Sequence, residues 1–137
     1  MTTTFDTWLA TLARAGKYVP PDGLTPATRG LAWSAPIELA GDWTGATLTG
    51  FIRSAPDAAD PPMATFTVSA LTYDAGDDVT VWTVSLASGS GTDSTGSLAS
   101  DSDGDGVEAL PCAFYLTPAG GDNELLFGTA FTVTGKV

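Results

Sequence analysis

Residues 41–68, GDWTGATLTGFIRSAPDAADPPMATFTV, constrain the fold more than any other stretch of this chain. Within them Ala46, Leu48, Gly50 and Ile52 alternate with Thr47, Thr49, Phe51 and Arg53. That period of two is the pattern of a β-strand. Both faces carry apolar side chains, so the strand is expected inside a sandwich rather than at its rim. Residues 55–62 cannot extend the ladder, because Pro56, Pro61 and Pro62 lack amide donors and Asp57 and Asp60 favour turns. Alternation resumes over residues 63–69, giving a second strand. Arg53 is expected either to pair with Asp57 or Asp60 or to meet a neighbouring subunit.

The other strand signals follow the same logic. Residues 31–40 (LAWSAPIELA) form a short strand whose Pro36 suits a strand start or a sheet edge. Trp33 and Trp43 bracket it and read as core plugs. Residues 70–74 continue or close the second strand, and 75–78 (AGDD) turn. Residues 79–86 (VTVWTVSL) are the clearest strand, with Thr80, Trp82, Val84 and Leu86 on one side, and should be central. Residues 87–106 are rich in Ser, Gly, Asp and Thr and read as a long mobile loop with one short turn near Leu98. Strands return at 113–117, 124–127 and 131–134. Six or seven short strands with regular turns predict an all-β antiparallel sandwich over residues 33–137. At 137 residues and 43% hydrophobic content the chain can bury one core without staples.

Residues 1–32 have a different character. Phe5, Trp8, Leu9 and Leu12 stand at i, i+3, i+4 and i+7, with Thr3 or Thr4 as N-cap, Asp6 in the first turn, Arg14 near the end and Gly16 as the stop. So short a helix is marginal alone, and its apolar stripe must bury against something. Its own domain and a neighbouring subunit are both open. Residues 18–30 (YVPPDGLTPATRG) lack periodicity and read as an extended arm, which favours the neighbour. Phe5, Trp8, Leu9, Leu12 and Tyr18 are therefore the candidate partner-binding residues.

Catalytic chemistry has few footholds. The sequence has no histidine, and its one cysteine, Cys112, lies in a strand-like run and reads as a small buried hydrophobe. Asp74, Asp77 and Asp78 read as solvated turn formers rather than a carboxylate pair. The formal net charge of -11 disfavours nucleic acid and anionic membrane as partners. No apolar run reaches the roughly 18 residues a transmembrane helix requires. The start of the chain lacks a positive n-region, so synthesis and folding in cytoplasm are expected. Asp101, Asp103, Asp105 and Gly106 (DSDGDG) match the opening of a calcium loop. Position twelve of that loop is Cys112 rather than a bidentate glutamate, so an acidic loop without metal is the other reading.

The run Asp42, Thr44, Gly45, Ala46 leading to Ile52 and Arg53, the turn at residues 56–58, the VTVWTVSL and AFYLT strands and the closing LLFGTAFTVT resemble the small immunoglobulin-like domain of tailed-phage virion proteins. The similarity spans about residues 33–137 and rests on the order and spacing of the motifs. It implies an immunoglobulin-like β-sandwich of about seven strands without enzymatic activity or cofactor. It also implies residence in the virion, as an adaptor or accessory subunit of the tail, baseplate or neck that anchors fibres or receptor-binding proteins. Its implied partners are other virion proteins and copies of itself. Capsid decoration is a second reading. A calcium-dependent carbohydrate-binding module, with Trp43, Trp82 or Tyr115 as platform, is a third.

Overall fold

A computed structural model describes residues 4–20, 24–54, 62–98 and 107–135. The chain opens with helix α1, Phe5–Arg14. Thr4 caps it, its hydroxyl accepting from the Thr7 amide at 3.2 Å. Gly16 follows at φ 72°, a left-handed conformation that ends the helix at little steric cost.

The strands are β1 (Ala27–Thr28), β2 (Trp33–Ala40), β3 (Thr47–Ile52), β4 (Ala64–Thr65), β5 (Thr67–Val68), β6 (Thr72–Asp74), β7 (Val79–Leu86), β8 (Val107–Thr117) and β9 (Glu124–Thr134). They form two sheets. The first has the order β1-β9-β8-β3-β4, and the second has β2-β7-β5 with β6 also paired to β7. Every pairing is antiparallel except β1 on β9, which is parallel. The result is a mostly antiparallel β-sandwich carrying one short helix.

The alternation in β3 is realised as expected: Leu48, Gly50 and Ile52 are buried, while Thr49 and Phe51 face outward and stay half-buried. Gly50 is required there, because a Cβ would collide with the Phe114 ring and come within 3.0 Å of Phe66. In the space it leaves, Phe66 and Phe114 stack with centroids 5.0 Å apart, and Trp33 meets Phe131 edge-on at 5.0 Å. β7 is central in its sheet, and its inward residues Trp82, Val84 and Leu86 are buried.

Five expectations are revised. The strand read over residues 63–69 serves both sheets: Ala64 pairs with Ile52 in the first, Val68 pairs with Val84 in the second, and buried Phe66 lies between. Alternation cannot distinguish a strand that stays in one sheet from one that crosses. β8 also starts before residue 113, running through Pro111. The Pro111 carbonyl accepts from the Arg53 amide, so its nitrogen faces the side where β3 ends at Ile52, and the proline forgoes only the one return bond at that strand end. The segments read at 124–127 and 131–134 are one strand, β9.

The loop after β7 is, in its described part, pinned rather than mobile. The buried Thr95 hydroxyl donates to the Leu31 carbonyl at 2.8 Å and accepts from the Gly30 amide at 2.9 Å. A 3-10 turn at Thr95–Ser97 precedes buried Leu98, matching the short turn expected there. The arm is likewise partly structural. Leu24 and Ala27 are buried in the core, and β1 extends the first sheet, so the sandwich includes residues placed before 33 in the sequence division.

Candidate functional site

Helix α1 lies on its own sheet. Its apolar stripe turns Leu12, the buried residue of the helix, and Trp8 toward the outer face of β9 at Gly128. A Cβ at position 128 would stand 2.5 Å from Leu12 Cδ1 and 3.0 Å from the Trp8 ring, so a larger residue there would push these side chains from their seat. The chain then passes along the edge of β9. The Gly128 amide donates to the Lys17 carbonyl at 2.7 Å, the Val19 amide donates to the Gly128 carbonyl at 3.1 Å, and Tyr18 makes a parallel bridge to Gly128. The Lys17 ammonium donates to the Leu125 carbonyl at 2.9 Å.

The five candidate partner-binding residues are thus brought to one place, and four of them stay half-buried. Phe5, Trp8, Leu9 and Tyr18 each retain solvent contact, and the Phe5 and Trp8 rings are 6.0 Å apart. The apolar stripe that had to bury against something has done so with part of its surface, against its own domain.

Beside the helix the outer face continues as a shallow groove lined by Trp8, Phe51, Arg53, Ala113, Tyr115 and Leu125. The Phe51 and Tyr115 rings are 6.1 Å apart, and the Arg53 guanidinium lies 5.8 Å from the Phe51 ring centre. Among the described residues no acidic side chain lines this groove, in a chain with 16 acidic residues against 5 basic ones. Asp57 and Asp60, the expected partners of Arg53, lie outside the described residues. Sequence reasoning missed Gly128 and the outward row of Phe51 and Tyr115 as parts of one surface. The signal for the first was a glycine inside a strand pattern, which marks a close approach of another group.

The residues considered for chemistry are engaged structurally. Cys112 is fully buried, and burial pushes its thiol far above the usual range. Asp74 accepts from the Gly76 and Asp77 amides at 2.9 and 3.3 Å, shaping the β6–β7 turn. Asp78 accepts from the Tyr73 hydroxyl at 2.7 Å, which raises the Tyr73 pKa because ionising the phenol would cost that bond. Asp101, Asp103 and Asp105 lie outside the described residues, and among the described residues no group of three or more His, Cys, Asp or Glu is placed to hold a metal ion. Trp33 and Trp82 are buried, while Trp43 is half-buried with its indole N–H donated to the Ala40 carbonyl at 2.9 Å. Among the described residues no helix is long and apolar enough to cross a membrane. Compared with known proteins, the chain matches no family model and no curated protein.

Proposed function

We propose that this chain is a non-enzymatic structural subunit of a tailed-phage particle, an adaptor or accessory protein of the tail, baseplate or neck that anchors a fibre or receptor-binding protein. The observation carrying this reading is the half-buried stripe of Phe5, Trp8 and Leu9 on α1 beside the outward Phe51 and Tyr115 rings of the first sheet. Among the described residues its groove has no acidic side chain, on a chain of net charge -11. Elsewhere such a chain is kept apart from acidic neighbours by its own charge, so this surface is where close contact costs least.

The strand order supports an immunoglobulin-like type for the sandwich, in line with the motif resemblance. A β2-β7-β5 sheet faces a β9-β8-β3 sheet, and an N-terminal strand runs parallel to the last one. Of the three aromatic platforms considered for glycan stacking, Trp82 is buried while Trp43 and Tyr115 stay half-buried, so a carbohydrate-binding module loses one of its platforms and ranks below assembly.

Deletion of residues 1–16 tests the reading. The truncated chain is expected to remain a folded sandwich and to be lost from purified particles. Normal incorporation of the truncated chain would refute an assembly role for the helix.

A further inference from the structure

We infer that Pro36 closes the edge of β2 against pairing with β2 of a second copy of this chain. Among the described residues five strands border the two sheets: β1, β4 and β5 have 2 residues each, β6 has 3 and β2 has 8. A long edge strand is a template for another chain, so β2 is the edge where self-pairing has to be blocked.

The free side of β2 follows from its register. The Gly41 amide donates to the Asp78 carbonyl at 2.7 Å, continuing the ladder in which Ala40 faces Val79. In an antiparallel pair, facing residues that exchange bonds alternate with facing residues that do not. Trp33, Ala35, Ile37 and Leu39 therefore bond to β7, while Ser34, Pro36, Glu38 and Ala40 turn their backbone groups outward. The Ala40 carbonyl agrees, since it accepts the Trp43 indole N–H at 2.9 Å from outside the ladder. Among the described residues no strand pairs with this side of β2, and all four outward residues are exposed.

Trp43 occupies one end of this edge, which leaves Ser34, Pro36 and Glu38, with Pro36 in the middle. Against β7 the proline forgoes nothing, because an outward amide has no ladder bond to give. Against a second copy it forgoes the central bonds. Two β2 strands meeting antiparallel about a two-fold axis at this point set Ser34 against Glu38 on both sides and Pro36 against Pro36 at the centre. The outer pairs have donors and acceptors to exchange, whereas the central pair has no donor on either strand and brings two rings together. Glu38 does not face Glu38 in this register, so its charge is not what forbids the pairing.

This inference goes beyond the proposed function and is tested on the purified chain, so its outcome is independent of the phage reading. Pro36→Thr restores the missing donor with a residue suited to a strand. Adding Ser34→Pro to that variant moves the block to another outward position without touching a bond to β7. The experiment is sedimentation velocity on the unsubstituted full-length chain and both variants, after circular dichroism shows each folded. Salt at about 1 M shortens the Debye length to roughly 3 Å and screens the net charge of -11. The Pro36→Thr chain is expected to run at twice the mass of the unsubstituted chain, and the double variant to return to the unsubstituted mass. A Pro36→Thr chain of unchanged mass, or a double variant that stays doubled, would overturn the inference. If Pro36→Thr fails to fold, Pro36→Val takes its place, and Glu38→Pro does the same for Ser34→Pro.

Discussion

The Asp93 carboxylate accepts the outward amide of Thr65 at 2.8 Å, capping the free edge of the first sheet from a loop 28 residues away. On the other side of β4 the Met63 and Phe66 amides bond to Ile52 and Gly50 of β3, so the Thr65 amide points away from the sheet. An uncapped edge is a template for another strand, and a carboxylate placed there closes it. Asp93 holds φ 58°, a conformation that Asp and Asn tolerate better than other residues with a side chain. Asp93→Ala is therefore expected to cost about 1–3 kcal/mol in urea unfolding, and Asp93→Asn less than half of that, since its amide oxygen can still accept.

In β3 the two faces are expected to respond oppositely to truncation. Ile52 is fully buried against the opposite sheet, and Ile52→Ala should cost roughly 2–5 kcal/mol, the range for emptying a packed site. Thr49, half-buried on the outer face, should lose about 0.5 kcal/mol or less as alanine. Thermal melts of the two variants compare them directly.

Thr129 offers a change in the stabilising direction. Its side chain is fully buried opposite Cys112, and its hydroxyl has no hydrogen-bond partner among the described residues. Thr129→Val replaces an unsatisfied hydroxyl by a methyl of similar size, with an expected gain of about 1 kcal/mol. A loss of stability on chemical denaturation would show that the hydroxyl is satisfied in solution.

Cys112 should be chemically silent. Burial raises its pKa, so the reactive thiolate is depleted even at mildly alkaline pH, and the folded sandwich blocks access. A thiol reagent at pH 8 is expected to label none of the folded chain and one equivalent in denaturant.

What the sequence disclosed was mostly local. The helix was legible from Thr4, the Phe5/Trp8/Leu9/Leu12 stripe and Gly16, and β7 from its β-branched run. The inner face of β3 followed from period two alone. The elements that escaped depend on partners far away in the chain. The loop after β7 is fixed by Thr95 reaching Leu31, 64 residues earlier, and a run of Ser, Gly and Asp gives no sign of that bond. Strand β8 was read only from residue 113, which leaves out Pro111. Only the end of β3 beside it explains why the strand continues. The seat at Gly128 joins residue 12 to residue 128, so the helix stripe announced a docking element without naming its dock.

The central claim, that this sandwich is a structural part of a tailed-phage particle, is tested most directly by immunogold labelling of intact particles with an antibody against the chain. Gold at the tail, baseplate or neck is the expected result. Gold spread over the head would replace the adaptor reading with capsid decoration, and particles carrying no gold would contradict a virion role altogether.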